Sequence, residues 1–267
     1  MGKRRIIIDG DSLTFYASKE TIEDSIESLE QRLVEIFQQT SATDYIIFLS
    51  DGLYFRHKLY PQYKALRNIY KNKTKNYSKV LKHYLIVEHN AKIIRQIEAD
   101  DAVAYTKTLF PDSIVCSPDK DVLHQISGTH FDYRIRKNID EETKIETIQK
   151  GVWVNTSKVD ANHFLWLQTL MGDSTDGIKG IPGVGIKNAE KILAKCKVEN
   201  YYSCVLNEYI KHYDVTLGIY WFYINFNLIK LLKTEDDFHT LGIPIMSITE
   251  DDFNPLSDEI IEEWNNL

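Results

Sequence analysis

Three short apolar runs in the first half of the chain each end on an aspartate. Arg5 to Ile8 stops at Asp9, Tyr45 to Leu49 at Ser50-Asp51, and Ser113 to Cys116 at Ser117-Pro118-Asp119. Runs this short and this apolar are the pattern of buried strands. Between them lie helical patterns. From Thr21 to Gln39, Ile22, Ile26, Leu29, Leu33 and Ile36 recur at helical spacing, leaving Glu23, Asp24, Glu27, Glu30 and Glu35 for the wet side. A further strand is expected at Lys92 to Arg95 and a helix at Ala99 to Phe110. Strands alternating with helices predict an α/β fold with a central, mostly parallel sheet flanked by helices. Ligands of such sheets bind beyond the carboxyl ends of the strands. Asp9, Asp51 and Asp119 are thus delivered to one edge by separate segments. Any one of them alone reads as a turn or helix cap; their recurrence points to a site.

More carboxylates follow the same logic. Glu98, Asp100 and Asp101 stand in I-E-A-D-D-A, Asp119 and Asp121 form D-x-D, and Asp173 and Asp176 lie three apart. Converging acids repel one another unless cations neutralise them. Oxygen donors without His or Cys select Mg²⁺ or Mn²⁺ over zinc. Two such ions ~4 Å apart are suited to phosphodiester hydrolysis. Glu98, Asp100 and Asp101 also suit a helix N-terminus, but capping leaves the other positions unexplained.

The formal net charge is −7, yet nine Lys or Arg and no acid occupy the stretch from Arg56 to Lys82, which leaves −16 on the rest. These are Arg56, Lys58, Lys64, Arg67, Lys71, Lys73, Lys75, Lys79 and Lys82. Such a segment on an acidic body suits a phosphate backbone. Tyr54, Phe55, Tyr60, Tyr63, Tyr70 and Tyr77 interleave rings on which unpaired bases stack. The bland alternative is a solvated basic helix or loop.

The second half is different in character. A helix-like run, His163 to Met171, leads into G-D-S-T-D-G and then Gly180 to Lys187 (G-I-P-G-V-G-I-K), with a helix expected from Asn188 to Lys195. Gly183 and Gly185 allow close backbone approach to a phosphate, the next helix offers its first N–H groups, and Lys187 adds charge. A tight turn is the competing reading. Glu199 to Leu232 is aromatic-rich and expected to form a small helical core. Its most apolar part, Leu217 to Leu232, is interrupted by Asn225, Asn227 and Lys230 and falls short of the ~20 residues of a membrane span. The acidic tail, Glu250 to Leu267, is expected to be peripheral. Cys116, Cys196 and Cys204 include no C-x-x-C pair. That argues against structural disulfides and thiolate zinc, and for a reducing compartment. The apolar run after the basic start is too short for a signal peptide. A cytoplasmic protein, or one acting in a host cytoplasm, is expected.

Asp9, Asp51, Y-K-A-L-R (Tyr63 to Arg67), I-E-A-D-D, S-P-D-K-D and L-M-G-D-S-T-D-G-I-K-G-I-P-G-V-G-I-K occur in the order found in flap endonucleases. The chain resembles the stand-alone phage 5′ nucleases and the 5′-nuclease domain of bacterial DNA polymerase I, from about Ile6 to Leu193. The resemblance implies a nuclease core over residues 1–158, including a helical arch at about 56–85. It implies a helical subdomain over 159–267, with a helix-hairpin-helix type motif at about 172–195. It assigns Asp9, Asp51, Glu98, Asp100 and Asp101 to one metal cluster and Asp119, Asp121, Asp173 and Asp176 to a second. Lys64 and Arg67 match residues that reach the scissile phosphate, with Tyr63 beside them. Arg56, Lys58, Lys71, Lys73, Lys75, Lys79 and Lys82 become DNA contacts, with Gly183, Gly185 and Lys187 at the hairpin, where a K⁺ is also implied. Where some phage relatives carry a Lys, this chain has Gln168. The implied activity is a Mg²⁺- or Mn²⁺-dependent flap endonuclease and 5′-3′ exonuclease, also removing RNA primers. It would act as a monomer on branched or nicked DNA, with a polymerase or single-strand-binding protein in trans. The rival readings are a catalytically weak junction-binding protein and a PIN-type ribonuclease.

Overall fold

The computed structural model describes residues 3–65, 77–139 and 146–257. Arg67, Tyr70, Lys71, Lys73, Lys75 and the end of the acidic tail lie outside the described residues. In chain order the described helices are α1 (Gly10–Ala17), α2 (Ile22–Thr40), α3 (Phe55–Leu59), α4 (Ser78–His89), α5 (Ala99–Leu109), α6 (Lys120–Gln125), α7 (Lys158–Met171), α8 (Ile186–Leu193), α9 (Tyr201–His212), α10 (Val215–Ile229) and α11 (Glu235–Leu241). The strands are β1 (Arg5–Asp9), β2 (Asp44–Tyr54), β3 (Lys92–Gln96), β4 (Ile114–Cys116), β5 (Gly128–Ile139), β6 (Glu146–Thr156) and β7 (Asn254–Pro255).

The chain divides into two units. The first comprises Met1–Gly52, Lys75–Thr156 and Leu232–Leu267; the second comprises Leu53–Thr74 and Ser157–Leu231. In the first, strands run β3-β2-β1-β4-β5-β6. β1 is parallel to β2 and β4, β4 is parallel to β5, and β5 and β6 form an antiparallel hairpin. Ile6, Ile7 and Ile8 are fully buried, as a central strand covered on both faces requires. The periodic face of α2 packs Leu29, Leu33 and Ile36 into the same core as Ile47, Leu49, Leu81 and Leu85.

The C-terminal segment departs from expectation. Residues 250–257 are not peripheral: β7 pairs antiparallel with the start of β2, matching Asn254 to Tyr45. Lys92 donates to Asp252 at 2.8 Å, and Phe253 is buried with its ring centroid 5.1 Å from that of Phe110. One aromatic anchor and one strand pairing outweigh the acidity of their neighbours. The boundary is therefore discontinuous in sequence, and not a single division near residue 158.

The second unit is helical. Trp166, Leu170, Ala189, Leu193, Val205, Tyr209 and Phe222 form its core. Asn225 on α10 donates to the Tyr209 hydroxyl at 3.0 Å, and that hydroxyl donates to the Thr169 carbonyl at 2.6 Å. Asn225 and Asn227 of the apolar stretch are thus buried and partnered, the latter donating to the Tyr223 carbonyl at 2.8 Å. Among the described residues no helix is long and apolar enough to cross a membrane. One expectation is overturned here: Cys196 and Cys204 form a disulfide. The spacing hid the pair, because the turn from α8 into α9 is what brings their Cα atoms to 6.4 Å.

Candidate functional site

In the first unit the acids lie where the sheet topology sends them. Asp9 ends β1 and caps α1: its Oδ1 accepts from the Ser12 amide at 3.1 Å and its Oδ2 from the Ser117 hydroxyl at 2.9 Å. It is fully buried, and its carboxyl is pushed up to about 6 by that burial, then by Asp11 and Asp119, against the bonds from Ser12. Asp119 caps α6, its Oδ1 accepting from the Asp121 amide at 2.8 Å, while its own amide donates to the Ser117 hydroxyl at 3.1 Å. Ser117 therefore links the Asp9 carboxylate to the backbone of Asp119.

Glu98 caps α5 in a reciprocal box with Asp101. Asp101 accepts from the Glu98 amide at 3.1 Å through Oδ2 and from the Leu232 amide at 3.1 Å through Oδ1. It is fully buried, and both its oxygens hold backbone in place. Asp100 beside it is partly exposed. Asp51 lies within β2, which continues to Tyr54 instead of ending at Ser50 to Gly52, and it is exposed.

Two residues here escaped the sequence reading. Asp11, in the first turn of α1, pairs with the Lys82 ammonium at 2.6 Å. Ser50 joins four elements: its hydroxyl accepts from the Ala99 amide at 2.8 Å, its amide donates to Asp11 at 3.2 Å, and its carbonyl accepts from Lys82 at 3.1 Å. Asp11 follows Asp9 at i+2 in D-G-D, which is a signal of the same kind as the D-x-D at Asp119 and Asp121. Ser50 and Ser117 each stand just ahead of an acid, and that proximity is the only trace they leave.

In the second unit, Asp173 and Asp176 bound a tight loop. The Asp173 amide donates to the Ile178 carbonyl and the Ile178 amide to the Asp173 carbonyl, both at 2.8 Å. The Asp173 carboxylate accepts from the Thr175 amide at 2.8 Å. Asp176 Oδ2 accepts from the Tyr63 hydroxyl at 3.4 Å, with the Lys64 ammonium 3.8 Å away, and the Lys64 amide donates to the Asp176 carbonyl at 2.9 Å. Lys64 holds a left-handed φ of 56° that lets it do so.

The basic segment is less available than its charge suggests. Arg56 is 1% exposed; its Nε donates to the Leu228 carbonyl at 2.9 Å and its Nη2 to the Lys230 carbonyl at 2.8 Å. It caps the C-terminus of α10, where orphan carbonyls attract a cation, and it is no DNA contact. Tyr63 is 3% exposed among Leu165, Ile178, Ile224 and Leu228, so it offers no face to a base. Phe55 is buried too, and Tyr60 packs against Trp221. An apolar pocket claims these rings before a base can. Lys58 and Lys79 are exposed.

At the hairpin, Gly172 and Gly180 are needed by the fold, since a Cβ on Gly180 would meet the Met171 carbonyl carbon at 2.2 Å. Gly183 and Gly185 differ: a Cβ on either would meet nothing within 4 Å. Gly185 needs no positive φ (−91°) and caps α8, so no internal packing requires a glycine there. Lys187 is exposed. Gln168 is buried at 3% and is not placed to meet a phosphate at the surface.

Among the described residues no group of three or more His, Cys, Asp or Glu is gathered tightly enough to hold an ion as it stands. The donor set is nonetheless all oxygen, which suits hard divalent cations. Likeness to known proteins supplies the family. A family model described as the 5′-3′ exonuclease N-terminal resolvase-like domain matches residues 4–152, more than half the chain. The chain belongs to that family, and its class is that of the 5′-3′ exonucleases and flap endonucleases. It is 27% identical to a 5′-3′ exonuclease of Mycoplasmopsis pulmonis, over 72% of this chain and 66% of that protein. It is 28% identical to the flap endonuclease Xni of a Shewanella species, over 70% of this chain and 73% of that one. Among solved structures, the flap endonuclease of bacteriophage T5, in a pseudo-enzyme–product complex with DNA and metal ions, is similar in fold. Its TM-score is 0.63 at 19% identity, over 86% of this chain and 90% of that one.

Proposed function

We propose that the chain is a divalent-metal-dependent, structure-specific 5′ nuclease. It hydrolyses phosphodiesters near 5′ single-strand/duplex junctions, as a flap endonuclease and 5′-3′ exonuclease, RNA primer strands included. The observation that carries this reading is Asp9. It is a fully buried carboxylate pushed up to about 6, flanked by Asp11 and Asp119 and, among the described residues, held by the Ser12 amide and the Ser117 hydroxyl. Capping α1 accounts for one oxygen of Asp9, and a bound cation would relieve the charge crowding from Asp11 and Asp119. Asp9, Asp51, Glu98, Asp100, Asp101, Asp119 and Asp121 are the ligands the first unit offers to two Mg²⁺, for which Mn²⁺ substitutes. In the second unit, Asp173 and Asp176 are oxygen ligands of the same kind. When bound, such ions supply an activated water and stabilise the leaving oxygen.

The protein's own groups position the substrate. Gly183, Gly185 and Lys187 receive a duplex phosphate at the start of α8, where a loop K⁺ also fits. Lys64, and Arg67 beyond the described residues, bring positive charge to the reacting phosphate. Lys58, Lys79 and the lysines between them attract the 5′ strand. The substrate is nicked or branched DNA, cut by a monomer in the cytoplasm, with any polymerase or single-strand-binding partner acting in trans.

The test is a single-turnover assay on a 5′-flap duplex labelled at both termini. Mg²⁺-dependent release of a fragment cut near the junction is expected, lost in EDTA and in Asp100→Asn. Parent-like cutting by that variant would remove the metal assignment. Tight binding without product in Mg²⁺ or Mn²⁺ would favour a junction-binding protein.

A further inference from the structure

On β5, outside every motif that marks the chain as a nuclease, Asp132 is 1% exposed and is met by two arginines. Arg134 donates from Nε at 2.9 Å and from Nη2 at 2.6 Å, and Arg136 donates from Nη2 to the same carboxylate. One cation would neutralise a buried carboxylate; two leave an excess of positive charge. A carboxylate accepts about four hydrogen bonds, while two guanidinium groups carry about ten donors. Donors are therefore left over, and each arginine side chain is 35% exposed. The register slips between Asp132 and Ile135, a bulge of the kind that re-aims side chains beside functional sites.

Two further observations give this pair a direction. Tyr133, between Asp132 and Arg134, is buried and donates its hydroxyl to the carbonyl of Asp9 at 3.3 Å. The arginines thus stand close in the strand to a contact with the carboxylate edge. Tyr16, six residues along α1 from Gly10, interacts electrostatically with Arg134 and is 36% exposed. Its neighbour Phe15 is 59% exposed, and the two rings meet edge to face at 5.4 Å. At the helical rise, Tyr16 lies roughly 10 Å from Asp9. Oriented guanidinium groups beside exposed rings are the equipment of a nucleic-acid strand site.

We propose that Arg134 and Arg136 bind a backbone phosphate of the nucleic-acid strand that passes the Asp9 edge, with Tyr16 and Phe15 supporting the adjacent base. Asp132 orients the two guanidinium groups and is a positioning residue. The inference rests on the nuclease reading for the identity of the strand.

The test is equilibrium binding of a fluorescein-labelled 5′-tailed duplex in EDTA across a series of KCl concentrations, with thermal unfolding alongside. Arg136→Gln keeps the Arg134–Asp132 pair. It is expected to weaken binding about 3- to 10-fold and to lower the slope of log affinity against log salt by about 0.7 to 0.9. Its melting temperature should stay within a few degrees of the parent's. Tyr16→Ala should weaken binding about 5-fold or more. Lys150→Gln, which removes an exposed cation paired with Glu35, should leave the slope unchanged. Lowered stability with unaltered affinity and slope would show that the arginines serve only to neutralise Asp132, overturning the proposal. So would an equal loss in Lys150→Gln. If the parent itself binds no nucleic acid at any salt, the nuclease reading fails first.

Discussion

At the sheet edge of the first unit Asp9 is held by an amide and a hydroxyl while Asp11 beside it pairs with Lys82, whereas in the 173–178 loop of the second unit Asp176 itself has the Lys64 ammonium 3.8 Å away. Asp9 takes an amide and a hydroxyl, Asp119 an amide, and Asp101 two amides. Asp176 takes a tyrosine hydroxyl with the Lys64 ammonium nearby. Neutral donors fix where an acid sits without cancelling its charge; a lysine does both. Asp9 therefore depends on an external cation more than Asp176 does. The contrast can be broken first at Asp9. In single-turnover cleavage with saturating Mg²⁺, Asp9→Asn is expected to lose about 10³-fold or more, the several kcal/mol that metal-stabilised charge contributes. Lys64→Ala should lose about 10²-fold, the scale of one electrostatic donor. Equal losses would erase the distinction.

A second difference concerns cations. Lys82 stays half-exposed against Asp11, but Arg56 is sealed beneath α10 and binds carbonyls. Arg56→Met would leave two buried carbonyls without their donor, at about 3 kcal/mol. That loss should fall on the second unit alone. Hydrogen exchange should show faster opening of α10 with β1 and β4 unchanged; uniform loss of protection would mean that the units unfold together.

The distinction also predicts a pH dependence. The carboxyl of Asp9 is raised from 3.8 to about 6, so folding favours its protonated form. The metal-free protein keeps this contribution below pH ~4 and loses it as the pH rises to about 6. At ~1.4 kcal/mol per unit the loss is roughly 2–3 kcal/mol. Melting curves in EDTA from pH 4 to 8 should fall for the parent and fall less for Asp9→Asn. Parallel curves would show that Asp9 is not under electrostatic stress.

What was legible in the amino-acid order follows the range of the forces involved. Strands β1, β2 and β4 and helices α2 and α5 stand within a residue or two of expectation, except that β2 runs on to Tyr54, because local periodicity and a following acid mark them. The nine candidate acids stand out in the sequence because turn-forming Asp and Glu mark strand ends and helix caps. The β5–β6 hairpin, the β7 pairing, the Cys196–Cys204 disulfide and the clustering of Arg134 and Arg136 on Asp132 were not legible. The first three depend on partners apart in the chain, and the fourth on a bulge that no local pattern announces. The basic segment misled for the same reason. Nine cations in one stretch describe a charge, but which of them face solvent is decided by α10 and an apolar pocket, neither visible locally.

Tyr63 shows how fine the distinction becomes. Its ring is buried and its hydroxyl reaches Asp176 at 3.4 Å, with the Lys64 ammonium 5.0 Å from the ring centroid. Two roles predict different outcomes for Tyr63→Phe. If the ring stacks on an unpaired base, removing the hydroxyl changes nothing, because the aromatic face remains. If the hydroxyl positions Asp176, the variant loses one hydrogen bond to a charged group, about 1.5 kcal/mol. The carboxylate then turns toward Lys64, drawing that ammonium away from substrate. Turnover should fall about 10-fold with little change in DNA affinity, and Tyr63→Trp should not rescue it. A loss of affinity with unchanged turnover would return Tyr63 to the base-stacking role that its burial argues against.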